Sequence, residues 1–486
     1  MRKLFLLFSS ALLAFSTASA QDHGLEQPYI PETDPAVLQK IDQWQDWKFG
    51  MIIHWGAYSQ WGVVESWSIC PEDEGWTQRK PSGIPYYDYL KKYEALSTTF
   101  NPTKFDPSKW AKAAKGAGME YVVFTTKHHD GFCMWDTKQT DYGIAGSKSA
   151  FRNDPRKNVA KEVFSAFQKE GIHTGAYFSK PDWHSEFYWW SYFPPKDRHV
   201  NYDVTRYPER WKNFKDYTYK QIEELMTTMG KIEILWLDGG WVRARSQGVK
   251  KENDITAAEI DTRPTKQNED IDMAGITKMA RGHQPGLIVV DRSVHGPFEN
   301  YRTPEQQIPE KPLSYPWETC MTMAGSWSYV PNDKYKSVNK IIHNLVDIVA
   351  KGGNYLLNVG PGPDGQLHDE AYTTMAAIGD WMKINGDAIY GTRSVAPYKD
   401  GKVCFTRKKN GNVYAIYLLG EGEKLPAQIA FEGLKPAKGA KVTVLGAKDK
   451  ISWKAGATGT QITIPAAVQQ KAWQHAVAIQ ISAVES

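Results

Sequence analysis

Seven short apolar runs recur along the chain, separated by longer stretches that include amphipathic ones, and this alternation restricts the fold more than any other feature. The runs are Met51 to His54, Tyr121 to His129, His173 to Ser179, Ile232 to Asp238, Leu287 to Arg292, Trp317 to Cys320 and Asn354 to Val359. They read as continuous apolar strings, the pattern of parallel strands covered on both faces. The covering helices are visible between them. Asp154 as N-cap with Pro155 at the first position predicts a helix that places Val159, Val163, Phe164 and Phe167 on one face and stops at Gly171. Val338 to Val349 and Ala371 to Ile384 predict two more. Strand followed by helix, repeated, predicts an α/β fold: a (β/α)8-like TIM barrel over residues 21–394. A doubly wound open sheet is the competing architecture, but no G-x-G-x-x-G follows any run, so nothing supports dinucleotide binding.

From Val395 the pattern changes to short alternating segments, Val403 to Arg407, Val413 to Leu418, Gln428 to Phe431, Lys441 to Leu445, Gln461 to Ile464 and His475 to Ile481, with Gly- and Lys-rich turns. This predicts a C-terminal antiparallel β-sandwich over 395–486, without an acid or histidine cluster that would suggest catalysis. A length of 486 residues suits a barrel plus a smaller domain.

Residues 1–20 have a basic start (Arg2, Lys3), an apolar stretch and Ala18-Ser19-Ala20 before Gln21, the layout of a cleaved secretory signal peptide. The expected location is therefore outside the cytoplasm, periplasmic or secreted. No Cys stands directly after the cleavage point, so lipid anchoring is not indicated, and no later stretch reaches the ~18 apolar residues of a membrane span. Two of the four net positive charges lie in that leader, which makes nucleic acid an unsuitable partner. Cys70, Cys133, Cys320 and Cys404 are scattered, so neither a zinc site nor a disulfide framework is written here. The 19 Trp and 25 Tyr exceed ordinary packing needs, leaving sugar stacking or an aromatic-rich core as the outlet. Nothing in the sequence signals an oligomeric state.

In a parallel barrel, substrate-contacting residues stand at the C-terminal ends of strands. Those ends read His54-Trp55-Gly56, Lys127-His128-His129-Asp130-Gly131, Tyr177-Phe178-Ser179, Trp236-Leu237-Asp238 and Asp291-Arg292. Asp238, before Gly239-Gly240, is either a turn cap or a nucleophile; Trp236 shares its strand face and would wall the same pocket. His128 and His129 could bind a polyhydroxy ligand, hold a metal or be satisfied core residues. Arg292 needs a carboxylate or ligand as partner. The loop Trp183 to Pro195 is dense in aromatics, either a sugar platform or loop packing, and the polar stretch Arg243 to Asp270 is a candidate flap. Glycoside cleavage needs a second carboxyl, and Glu299, Glu305 and Glu318 all follow the fifth run.

These motifs, in order, resemble the α-L-fucosidases of glycoside hydrolase family 29. The resemblance rests on Trp47 to Gly56, Lys127 to Phe132, Trp236 to Gly239, Trp317 to Met321, Gly352 to Pro361 and Asn385 to Tyr390. It implies a barrel followed by a β-sandwich, and a retaining exo-glycosidase that releases terminal α-L-fucosyl units from fucosylated oligosaccharides or glycoconjugates without metal or cofactor. It implies Asp238 as nucleophile and His54, Glu65, Trp67, His128, His129, Tyr177, Trp236 and Arg292 as fucose-binding residues. For the acid/base, Glu305 matches first and Glu299 second, with Glu318 third as an acid behind the contact residues. A barrel glycosidase for another sugar and a non-catalytic fucose-binding protein are the alternatives.

Overall fold

The computed structural model describes residues 28–77, 79–245 and 267–485; the expected leader and the middle of the expected flap lie outside the described residues. Seven strands, β1 (Phe49–Ile53), β2 (Tyr121–Lys127), β3 (His173–Ser179), β4 (Ile234–Asp238), β5 (Ile288–Asp291), β6 (Glu318–Thr322) and β7 (Asn354–Val359), form one parallel sheet. Their order is β5-β4-β3-β2-β1-β7-β6, a TIM-type barrel in which β5 and β6 do not pair directly. Segment 298–306 fills that gap. It bonds to β5 through Asp291 N–H to Phe298 O (2.9 Å) and Asn300 N–H to Val289 O (2.9 Å). On the other side it bonds to β6 through Glu318 N–H to Arg302 O (2.8 Å) and Gln306 N–H to Cys320 O (2.9 Å). Its polar residues and Pro304, which lacks an N–H, explain why no eighth apolar run is visible in the sequence.

Strand side chains alternate between two cores. Ile52, Tyr121, Val123, Tyr177, Ile234, Trp236, Ile288, Val290 and Leu356 point into the barrel, while Met51, Ile53, Val122, Phe124, Phe178, Leu235, Leu237, Val289 and Leu357 pack under the outer helices. Space inside is tight: a Cβ on Gly50 would lie 2.5 Å from the Tyr121 ring, so this strand position must be glycine. Helix α1 (Pro35–Trp47), capped by Asp34 onto Ala36 N–H, adds Val37, Ile41, Trp44 and Trp47 to the inner core and plugs the barrel's N-terminal end. There Trp44 stacks on Tyr301 at 4.0 Å between ring centroids, and its carbonyl accepts from Asn354 Nδ2 at 2.7 Å. With that end closed, a pocket can open only at the other.

The helix expected to begin at Asp154 starts later, spanning Val159–Lys169. The Asp154 carboxylate instead accepts Arg156 N–H (2.7 Å) and pairs with its guanidinium, closing a turn ahead of the helix. The other two expected helices are present as Val338–Ala350, capped by Ser337, and Asp369–Asn385. Beyond them lie β8 (Thr392–Asp400), β9 (Val403–Lys408), β10 (Val413–Leu418), β11 (Gln428–Glu432), β12 (Val442–Val444), β13 (Ser452–Ala455), β14 (Gly459–Thr463) and β15 (Ala476–Ile481). They form antiparallel sheets ordered β12-β15-β10-β9-β8 and β11-β14-β13 around a core that includes Phe405, Phe431, Ile462 and Ile479. The larger sheet turns Tyr414, Ile416 and Ala478 toward the barrel helices, and Trp381 Nε1 donates to Ala476 O across the junction (2.8 Å). All four cysteines are buried free thiols, and no helix among the described residues is long and apolar enough to cross a membrane.

Candidate active site

A cavity of about 540 Å³ opens at the C-terminal ends of the strands. His54, Glu65, Trp67, His128, Tyr177, Trp236, Asp238, Arg292 and Glu305 all line it, so the structure brings together residues scattered over most of the chain. His129 stands directly behind, its Nε2 3.8 Å from Asp238 Oδ2. A larger cavity, about 830 Å³, lies between the start of helix Val338–Ala350 and sandwich loops 420–425 and 469–475. Two of its polar side chains are engaged within the protein: Asn339 Nδ2 donates to Leu419 O (3.3 Å) and Glu423 pairs with Lys402 (2.6 Å).

Asp238 ends β4, and the register that pairs Tyr177 with Trp236 and Ser179 with Asp238 sets its neighbours. Its Oδ2 accepts from Tyr177 OH (2.8 Å), and Oδ1 accepts from Gly239 N–H (2.8 Å) and Arg292 Nη1 (3.1 Å). Turn cap and poised carboxylate are thus the same group. Gly239 allows this, with φ of 88° and no room for a Cβ, which would meet Pro181 Cδ at 2.3 Å.

Arg292 organises the cavity. One Nη holds Asp238, the other forms an ion pair with Glu305, Nε donates to Thr303 Oγ1 (3.1 Å), and the guanidinium lies 5.1 Å from the Trp236 ring centre. Burial opposes its charge, but Glu305 and Asp238 outweigh burial and raise its pKa well above the ordinary value.

Burial holds the three histidines neutral: His54 is lowered to about 4, His129 to about 3, and His128 well below its ordinary value. Each Nδ1 has a protein partner: Asn358 Oδ1 for His54 (2.7 Å), Ser66 Oγ for His128 (2.5 Å) and Ser179 Oγ for His129 (2.7 Å). Glu65 is pushed up to about 8, by burial first and then by the charges of Glu305 and Asp238, while Ser328 N–H donates to it at 2.8 Å.

The candidate acids separate clearly. Glu305 lines the cavity on the stave between β5 and β6. Glu299, buried outside the cavity, accepts Ser293 N–H (2.8 Å) and faces His295 Nδ1 (3.0 Å), knitting the loop after β5. Glu318 sits beneath the cavity floor, accepting from Tyr121 OH (2.6 Å) and Trp236 Nε1 (3.3 Å); burial raises its pKa to about 7.

Among the described residues, none of the aromatics of the loop Trp183 to Pro195 lines the cavity. Trp183 stacks on Trp189 at 5.1 Å and backs onto His129 at 5.2 Å, so the loop packs behind the wall. Its continuation contributes Arg198, which lies over Trp67 (5.0 Å) and pairs with Asp73 (3.3 Å) at the cavity wall. Arg198, Asp73, Gln306 and Trp327 escaped sequence reasoning; only Trp327, just after the end of β6, had a positional signal.

His128, His129 and Asp238 place donor atoms within 4.8 Å of one another, as do Cys70, Glu72 and Asp73. The 3.8 Å between His129 Nε2 and Asp238 Oδ2 is wider than the ~3.3 Å of a tetrahedral site with bonds near 2.0–2.1 Å, and Arg292 already supplies a cation to that carboxylate. The first set suits hydroxyl groups better than a metal ion.

A family model described as Alpha-L-fucosidase matches residues 16–387. The tissue alpha-L-fucosidase of Mus musculus is 26% identical over 446 residues, covering 87% of this chain and 88% of that protein. Among solved structures, alpha-L-fucosidase isoenzyme 1 from Paenibacillus thiaminolyticus superimposes with a TM-score of 0.70 at 28% identity, covering 93% of this chain and 100% of that one. The Thermotoga maritima alpha-fucosidase in complex with fucose gives 0.69 at 28% identity, with the same coverage.

Proposed function

Because the chain belongs to the α-L-fucosidase family, glycoside hydrolase family 29, we propose that it releases terminal α-L-fucosyl units from fucosylated glycans with retention, through a covalent intermediate on Asp238, and acts outside the cytoplasm. The observation that carries this reading is the bridge made by one guanidinium: Arg292 touches Asp238 with one Nη and Glu305 with the other. Two carboxyls within reach of a single side chain favour the spacing near 5–5.5 Å of retaining enzymes over the 6.5–9.5 Å of inverting ones.

In the first step a carboxylate oxygen of Asp238 attacks the anomeric carbon while Glu305, which enters this step carrying a proton, gives it to the departing oxygen. In the second, Glu305 removes a proton from the water that frees the sugar. Tyr177 and Arg292 hold Asp238 as an oriented anion, and the neutral histidines offer hydrogen bonds to hydroxyls. Ile52, Val64 and Cys320 are apolar members of the lining, a surface suited to the methyl group of a 6-deoxy sugar.

The test is Asp238→Gly. It should abolish turnover of an aryl α-L-fucoside, and azide should restore it with formation of β-fucosyl azide. Wild-type turnover in the variant, or no azide adduct, overturns the assignment, and faster cleavage of aryl galactosides by the wild type overturns the sugar. Export predicts that the protein recovered outside the cytoplasm begins at Gln21 by mass spectrometry.

A further inference from the structure

The family assignment accounts for histidines that meet the sugar, but not for what holds each ring in one protonation pattern. A neutral imidazole carries its proton on either nitrogen, and the partner of one decides what the other can offer. For His54 that partner is Asn358 Oδ1, at 2.7 Å from Nδ1. The amide cannot be turned round, because its Nδ2 donates to Trp327 O at 2.6 Å, a carbonyl that only accepts. His54 Nδ1 therefore carries the proton. For His129 the partner is Ser179 Oγ, at 2.7 Å from Nδ1, and Ser179 Oγ donates to Pro181 O at 2.8 Å. Its one proton is committed there, so it accepts from His129 Nδ1–H. Consistently, His129 Nε2 is buried with no hydrogen-bond partner among the described residues, 3.8 Å from Asp238 Oδ2.

We propose that Asn358 and Ser179 are positioning residues that lock His54 and His129 as Nδ1–H tautomers, so that each turns an Nε2 lone pair to the substrate and takes a donating sugar hydroxyl. The carbonyls of Trp327 and Pro181 anchor the two relays. A hydroxyl lodged between His129 Nε2 and Asp238 would give its proton to one of them. With the opposite tautomer, Nε2–H would point at the nucleophile and weaken it. The tautomers stand independently of the fucosidase reading; their kinetic consequence rests on it.

Two-bond 1H–15N correlation spectra of the full chain labelled with 15N-histidine read the tautomers directly, with signals assigned by their loss in His54→Gln and His129→Gln. Protonated Nδ1 and bare Nε2 are expected for both rings; a protonated Nε2 on either overturns the proposal for that ring. Ser179→Ala should release His129 into mixed tautomers and lower kcat about 10–100-fold with a smaller change in KM, the scale seen when outer partners of metal-bound histidines are lost. Ser179→Thr, which keeps the hydroxyl, should restore both tautomer and kcat, and Asn358→Leu should do to His54 what Ser179→Ala does to His129. Unchanged tautomer and unchanged kcat in Ser179→Ala overturn the role of Ser179. If a variant does not fold, the wild-type spectrum still decides. The expected tautomers in a protein inert toward every fucoside would sink the proposed function and leave this inference standing.

Discussion

The two ends of the barrel use nearly the same residue types to opposite effect. At the N-terminal end Glu233 accepts from His173 (2.6 Å), Lys40 (2.6 Å) and Lys231 (2.9 Å), with His173 stacked on Trp47 at 3.8 Å. Burial pushes this carboxyl up, but the three donors outweigh it and hold its pKa down to about 2. At the C-terminal end, Asp238 and Glu305 share one guanidinium, Glu65 is raised to about 8, and three histidines are neutral. The first cluster sets two lysines against one carboxylate at the closed end; the second shares one guanidinium between two carboxylates and opens on a cavity. Acids, histidines and tryptophans mark a site only where their hydrogen-bonding capacity is left for something else.

The contrast breaks most visibly at Glu305. Glu305→Ala should slow cleavage of a fucoside with a poor leaving group by about 10²–10⁴-fold and spare an activated aryl fucoside. Glu299→Ala, outside the cavity, should show no such dependence on the leaving group; equal dependence in both variants would remove the distinction drawn between them. A smaller effect is expected at Glu65. Above about pH 8 its carboxyl ionises near the Asp238 carboxylate, so kcat/KM should fall roughly tenfold per pH unit there. Glu65→Gln should lose that alkaline limb, and an unchanged limb would assign it to another group.

The smallest effect on catalysis is expected at the closed end. Glu233→Gln should leave kcat unchanged and cost on the order of 2–3 kcal/mol of stability at neutral pH, read by urea denaturation. The sign follows from a pKa lowered in the fold: the contribution is complete above the ordinary carboxyl value of 4.5 and disappears as pH falls through about 2. A large loss of kcat with intact stability would show that the two ends do not divide as described.

The seven strands were legible because each is buried on both faces and therefore reads as an apolar string. The eighth stave was not, because segment 298–306 pairs irregularly and carries Pro304, Arg302 and Glu305, none of which signals a strand. β8 was missed for a similar reason, since Pro397 falls within its register shift. Strand-end residues such as His54, Asp238 and Arg292 could be proposed from position alone. Spacing alone does not rank the three acids, which only the family resemblance put in order, because Glu299 and Glu305 lie six residues apart on one irregular segment and only its path sends one inward and the other into a loop. Arg198 and Asp73 reach the cavity from loops distant in sequence, and their pairing with each other is visible only in three dimensions.

The central claim, that the under-supplied end of the barrel carries the nucleophile, is tested most directly by trapping. Incubation with a 2-deoxy-2-fluoro-fucosyl fluoride, followed by digestion and mass spectrometry, should give one labelled peptide with the fluorofucosyl group on Asp238. A label on Glu305, Glu65 or any other carboxyl, or full inactivation with no covalent label, would contradict the account.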